Sequence, residues 1–248
     1  RPPSEANSII LQATVGCSHN KCTFCGAYRD RNFRLKEEKT IEADLAFAAE
    51  YCRRLKTLFL ADGNALAMPQ AKLVSLLQRI RSILPWVRRV SLYANARDIL
   101  RRSPDELRQL KDLGLSRLYM GLETGHDPTL RAIAKGSDSR EMIAAGRLVR
   151  EAGIFLSVTV LLGIAGSRDS LAHARATAEV LNRMRPNQVA ALTLMLLANT
   201  PLARDFREGT FVLPDQRTLL LELRTLLAHL ALERSQFQAN HASNYFEL

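Results

Sequence analysis

Cys17, Cys22 and Cys25 fall within nine residues of the stretch "GCSHNKCTFCGAY", separated by four and then two positions. Thiolates spaced this closely bind soft or borderline metals. Two arrangements suit three of them. A structural zinc site wants four ligands in a tetrahedron. His19, inside the loop, is the nearest fourth donor, although two residues after Cys17 it would share a very tight turn. An iron–sulfur cube held by three cysteines instead leaves one iron without a protein ligand and open to chemistry. Cys52, in "FAAEYCRRL", lies apart and reads as a packing residue of a helix. A second cluster is therefore not expected. Four cysteines, three of them crowded at ligand spacing, do not form a disulfide framework, and they point to a reducing, cytoplasmic setting.

The elements that must position these thiols alternate regularly. Strand-like stretches occupy 8–16, 57–63, 88–95, 116–123, 154–163 and 187–197, and helical patterns lie between them. The first strand runs directly into the cysteine loop. Helices are expected from Thr40 to Leu55, from Pro69 to Ile83, after Ser103, after Asp138, after strand five to Met184, and from Asp215 to Arg234. Ser103 with Glu106, and Asp138 with Glu141, form capping boxes, and Gly114 and Gly153 stop the helices that follow. Continuous apolar strands alternating with long helices predict an α/β chain with a parallel sheet covered on both faces. The spacing suits a partial or full (β/α) barrel, and a doubly wound sheet shares it. In a barrel the loops at the carboxyl ends of the strands carry the chemistry, which is where the cysteine loop falls.

With 47% of its residues hydrophobic and 24% charged, the chain can bury a sizeable core and is not disordered. It shows no apolar run of spanning length and no signal-peptide pattern, so no membrane association is expected. Lysine and arginine exceed aspartate and glutamate by ten. The excess favours anionic partners such as a nucleotide, a phosphate-bearing substrate or RNA. The scatter of arginines over "YCRRLK", "WVRRV" and "ILRRS" reads equally as a solvated basic surface.

The loop "CSHNKCTFC", with an aromatic residue before its last cysteine, resembles the cluster loop of the radical S-adenosylmethionine (SAM) enzymes. The resemblance extends over about residues 8–200. The most familiar spacing in that family has three residues between the first two cysteines, and here there are four. The resemblance implies a partial (β/α)6 TIM-like barrel with helices outside, plus a C-terminal helix and tail. Residues 1–248 would form a single domain, with the barrel at 8–200 and an extension at 201–248 packing on or closing it. It assigns Cys17, Cys22 and Cys25 to three irons of a [4Fe-4S] cluster whose fourth iron is chelated by SAM. One electron would then cleave SAM to a 5′-deoxyadenosyl radical that abstracts hydrogen from a substrate.

The same resemblance locates the SAM contacts. After strand two the family carries a Gly-Gly-Glu-like turn for the methionyl amine. Here the matching stretch is "ADGN", in which Gly63 permits close approach and Asp62 or Asn64 serves the amine. A turn of this composition also forms without any ligand. Glu123, a lone carboxylate ending strand four between Gly121 and Gly125, would meet the ribose or methionyl group, or else pair with Arg97 at the end of strand three. Ser157 and Thr159 on strand five would lie beside adenine or simply fill the barrel interior. Phe24 would cover adenine or shield the cluster. The tail "NHASNY", with His241, Asn244 and Tyr245, would meet substrate at the barrel mouth or form a frayed end. No Gly-x-Gly-x-x-Gly joins a strand to a helix, so a dinucleotide fold is not indicated. The implied partners are a reductant such as flavodoxin or ferredoxin and an unidentified substrate, for which the basic balance leaves an anionic small molecule, a porphyrin-like acid or tRNA open, nucleic acid not being favoured. Two other classes stay open from the residues alone. One is a zinc-bearing nucleic-acid-binding protein using Cys17, His19, Cys22 and Cys25, and the other is an iron–sulfur electron carrier without SAM chemistry.

Overall fold

The computed structural model describes residues 1–245. Its strands are β1 (Ile9–Gln12), β2 (Thr14–Val15), β3 (Arg34–Leu35), β4 (Thr57–Ala61), β5 (Arg89–Ala94), β6 (Leu115–Glu123), β7 (Phe155–Leu162), β8 (Gln188–Thr193) and β9 (Gln236–Gln238). Its helices are α1 (Glu38–Tyr51), α2 (Gln70–Ile83), α3 (Ala96–Leu100), α4 (Pro104–Asp112), α5 (Asp127–Ala132), α6 (Ser139–Glu151), α7 (Gly166–Met184), α8 (Pro201–Arg207) and α9 (Gln216–His229). One sheet runs in the order β1-β4-β5-β6-β7-β8-β9. The β1–β4, β4–β5, β7–β8 and β8–β9 ladders are parallel. Each strand of this sheet lies beside the next one in sequence, and the order never reverses. A doubly wound sheet needs such a reversal. The order is that of a (β/α) barrel, which resolves the ambiguity that periodicity left. Among the described residues, no helix is long and apolar enough to cross a membrane.

The six expected strands are present, and the differences lie at their ends. The stretch 8–16 breaks at Ala13. Its last residues, Thr14 and Val15, turn aside to pair antiparallel with Leu35 and Arg34. That two-residue ladder closes the base of the segment 16–33, so the cysteine loop leaves the sheet through a pinned neck. Strand 187–197 ends at Thr193 instead of Leu197. α3, α5 and α8 are too short for a helical period to register in the sequence, yet each has a legible start. Asn95 and Thr200 cap α3 and α8, and Pro128 opens α5. Both capping boxes form: Ser103 with Glu106, and Asp138 with Glu141.

Two compact units share the chain. The first takes Arg1–Ser18, Asp30–Tyr119 and Leu148–Leu156, and the second takes His19–Arg29, Met120–Arg147 and the chain from Ser157 onward. In the first, Leu58, Phe59 and Leu60 are buried in succession on β4, as a strand covered on both faces requires. Leu45, Leu73, Leu77 and Ile80 are buried on the helices flanking it. At the amino ends of these strands Glu5 is fully buried. It accepts from Ser8 Oγ (2.5 Å), Tyr119 Oη (2.6 Å) and the Arg89 guanidinium (3.1 Å). Burial alone would raise its pKa. The hydrogen bonds from Ser8 and Tyr119 and the charge of Arg89 outweigh it, and the carboxyl is held below its ordinary value. In the second unit, Val158, Val160 and Leu162 of β7 are buried, as are Ala178 and Leu181 of α7 and Leu219, Leu223 and Leu226 of α9.

Candidate functional site

In the first unit the turn after β4 grips the start of the cysteine loop. Asp62 adopts φ +87°, a strained geometry for a residue with a side chain. Its carboxylate accepts from the Gly16 amide (2.7 Å) and the Gln12 side chain (3.1 Å). The Gly63 amide donates back to the Gly16 carbonyl (3.2 Å). Gly16 itself has φ +80°, and a Cβ there would press on the carbonyls of Arg31 and Asn32 at 3.3 Å. Asn64 is completely buried and donates to Ser18 Oγ (2.7 Å) and Asp98 Oδ2 (2.5 Å). Its own Oδ1 is buried with no hydrogen-bond partner. Ser18 also donates to Asp98 (3.0 Å). Thus the residues on both sides of Cys17 are fixed by side chains from the turn after β4 and from α3. Arg97 is exposed on α3, and its neighbour Asp98 is the buried charge.

In the second unit, Cys22 and Cys25 close a turn in which the Cys25 amide donates to the Cys22 carbonyl (3.3 Å). Arg29 caps both residues, donating to the carbonyls of Cys25 (3.0 Å) and Cys22 (2.8 Å). The turn docks through main-chain bonds from Thr23 to Ile133 (2.9 Å) and from Leu202 to Thr23 (3.1 Å). Phe24 packs on the apolar cluster of Ile133, Ile164, Leu194 and Leu202. Its ring anchors the turn to this cluster. A Cβ on Gly26 would come within 2.2 Å of Asn199 Oδ1, so a larger residue there must displace that side chain. His19 donates its Nε2–H to the Ala134 carbonyl (2.7 Å), so that nitrogen is a strut. Cys17, Cys22 and Cys25 are half-buried thiols.

At the end of β6, Glu123 is buried with φ +63° and accepts from Lys135 Nζ at 2.7 Å. Lys135 lies twelve positions downstream, at no spacing that a sequence rule marks. The pair rests directly on Gly121, whose missing side chain makes room for it. Ser157 is buried and donates to Gln188 on the neighbouring strand (3.0 Å), and Thr159 is half-buried. In the tail, Asn244 accepts from the amide (2.8 Å) and hydroxyl (2.9 Å) of Thr193 and donates to the carbonyls of Ala191 (2.9 Å) and Ala239 (2.6 Å). Its carboxamide therefore mimics a strand partner for the end of β8. His241 bonds Ser243 (2.8 Å), and Tyr245 is exposed. Cys52, expected within a helix, caps the end of α1 and is half-buried.

The sequence model of the Radical SAM superfamily matches residues 11–177, a stretch that holds all three loop cysteines and both strained strand ends. The chain belongs to the radical SAM superfamily. Members bind a [4Fe-4S] cluster and SAM. It is 23% identical over 163 residues to the heme chaperone HemW of Bacillus subtilis (strain 168), covering 65% of this chain and 42% of that one. Among solved structures, methylornithine synthase (PylB) superposes with a TM-score of 0.62 at 14% identity, over 93% of this chain and 65% of its own. Coproporphyrinogen III oxidase (HemN) from Escherichia coli gives 0.63 at 17%, over 90% and 53%. The methyltransferase TsrM from Kitasatospora setae gives 0.65 at 18%, over 81% and 38%. This radical SAM chain thus spans less than two thirds of the length of each of these relatives.

The donors suit the cofactors of the superfamily. Three thiols in one short loop are the donor type and number that a cube taking one cysteine per iron needs from the protein, though among the described residues no three His, Cys, Asp or Glu side chains are gathered closely enough to hold a metal ion. The orphaned Asn64 Oδ1 is an acceptor for which the described protein supplies no donor.

Proposed function

We propose that Cys17, Cys22 and Cys25 hold three irons of a single [4Fe-4S] cluster and that Asp62, Gly63, Asn64, Arg97, Glu123, Ser157 and Thr159 form the SAM site. Residues 8–200 are the catalytic core in this reading, and 201–248 are its extension. Bound together, the cluster and SAM supply an electron and a 5′-deoxyadenosyl radical for hydrogen abstraction from substrate. The chain's own residues do the rest. Asp62 and Gly63 hold Gly16 so that Cys17 leaves the neck in one direction. Arg29 orients the Cys22–Cys25 turn and places a positive charge beside it. Asn64 offers an acceptor for an ammonium, and Glu123 offers a carboxylate for an ammonium or hydroxyls. Phe24 and its apolar neighbours shield one side of the turn from water.

The observation that carries this reading is the docked Cys22–Cys25 turn with Arg29 on its carbonyls, within a family match that spans the loop. The substrate in this proposal is anionic, in keeping with the net charge of +10, and a tetrapyrrole acid is the class suggested by likeness to a heme chaperone and to coproporphyrinogen III oxidase. The electron comes from an external donor of the flavodoxin or ferredoxin kind in a reducing compartment.

Anaerobic reconstitution followed by iron and sulfide analysis tests the cluster, and 5′-deoxyadenosine formed with dithionite and SAM tests the chemistry. Cys22→Ala should abolish both. One zinc per chain with no iron, or a full cluster that never cleaves SAM, overturns the proposal.

A further inference from the structure

Glu222 is completely buried on α9, outside the residues matched by the family. It stands among Leu219, Leu223 and Leu226 on the buried face of that helix, where a carboxylate is costly unless fully bonded. Both its oxygens are bonded. Oε1 accepts from the Gly163 amide (2.7 Å) and lies 3.2 Å from His173 Nε2, and Oε2 accepts from Ser170 Oγ. His173, buried on α7, continues the chain, its Nδ1 lying 2.7 Å from Thr124 Oγ1. Thr124 Oγ1 in turn accepts from the His126 amide (2.9 Å). The adjacent Gly125 amide donates to Thr177 Oγ1 on α7 (2.9 Å), and a Cβ on Gly125 would come within 2.3 Å of the Ala176 carbonyl. One continuous relay therefore runs from α9 through α7 into the turns that follow β6 and β7.

Those two turns matter because of what they hold. Glu123, in its left-handed conformation, immediately precedes Thr124, and Gly163, at φ +83°, begins the turn after β7. A non-glycine residue at φ +63° persists only where its surroundings over-determine it. The Thr124 and Gly125 bonds supply that constraint.

We infer that Glu222, acting through His173 and Thr124, is a positioning residue for SAM: it fixes the turn that aims Glu123 at the cofactor. The inference rests on the SAM site proposed above. It gives α9 a role in the active site without any contact to substrate.

The test compares Glu222→Ala, Glu222→Gln and Thr124→Val in the full chain with reconstituted cluster. Glu222→Ala should raise the Kd for SAM at least tenfold while leaving iron per chain and the 5′-deoxyadenosine rate at saturating SAM within twofold of the parent. Glu222→Gln keeps an acceptor for the Gly163 amide and should restore the affinity. Thr124→Val leaves Glu222 bonded and should weaken SAM as Glu222→Ala does, so it decides the matter if the alanine variant does not fold. Parallel losses of iron and of saturated rate with an unchanged Kd would mean a purely structural role and overturn the inference. Amide hydrogen exchange on the protein without cluster or SAM separates this from the parent proposal. The Gly163 and His126 amides should exchange faster in Glu222→Ala, and unchanged exchange at both sinks the relay even if the parent binds SAM. A parent that binds no SAM contradicts the proposed function, and the exchange result then decides the relay alone.

Discussion

Gly121→Ala isolates Glu123 without touching it. Residues 121 and 123 lie on the same face of β6, and an alanine Cβ at 121 would sit 2.1 Å from Glu123 Oε1 and 3.0 Å from Lys135 Nζ. Carbon–oxygen contacts close at about 3.3 Å, so the carboxylate must retreat by about 1.2 Å. Gly121 is not in the left-handed region, so the backbone accepts alanine, and the crowded atoms are ends of flexible side chains. The fold should survive. The 2.7 Å ion pair to Lys135 would lengthen and admit water, which costs about 1–2 kcal/mol, measurable as a lowered urea midpoint with an unchanged slope. A catalytic group displaced by about 1 Å loses up to about a hundredfold in effect. With Glu123 one contact among several, SAM should bind about tenfold more weakly, equivalent to about 1.4 kcal/mol. Calorimetric titration of SAM into anaerobically reconstituted protein, with iron content as control, reads this directly. A Kd within twofold of the parent, in a variant whose urea midpoint has fallen, would show that the Glu123 carboxylate does not face SAM.

Three further outcomes concern residues outside the Glu123 pair. Glu5→Gln should destabilise the chain by about 3 kcal/mol at neutral pH, since it leaves Arg89 facing a neutral amide in a buried site. Because the Glu5 pKa is lowered on folding, its contribution is fully present above the unfolded value of about 4.3 and lost as pH falls through the folded one. The gap between parent and variant should close below about pH 4; a gap independent of pH contradicts the account. Asn244→Ala removes four bonds at the end of β8 and should speed amide exchange at Thr193 by at least about tenfold, with Cys22–Cys25 cluster loading unchanged. Cys52→Ala should leave iron content and SAM cleavage as in the parent, because Cys52 ends α1 and is not part of the cysteine loop, and loss of either assigns it a role.

The cysteine loop was legible because its chemistry is local: three thiols in nine residues constrain each other through the chain alone. The strands were legible because doubly covered strands such as 57–61 must be apolar throughout. Strand order was not, since barrel and doubly wound sheets share one period and differ only in long-range pairing. The partners of the site residues were also hidden. Glu123 meets Lys135, and Asn64 meets Ser18 and Asp98, contacts fixed by where loops of different length return to the sheet. Glu222 did leave a trace. A single acid in "LLLELRTLL", in register with the buried leucines, is the pattern of a bonded interior carboxylate. Asp62 left none, because its left-handed backbone is unmarked by the glycine that usually announces it.

The central claim is that three cysteines leave one iron for SAM. It is tested most directly by paramagnetic resonance of the reduced, reconstituted cluster with SAM labelled isotopically in its amine and carboxylate. The account predicts about four irons per chain, a spectrum that changes when SAM is added, and a hyperfine coupling from the labelled groups. A reduced cluster whose spectrum ignores SAM and shows no coupling would mean that its fourth iron is closed, and would contradict the claim.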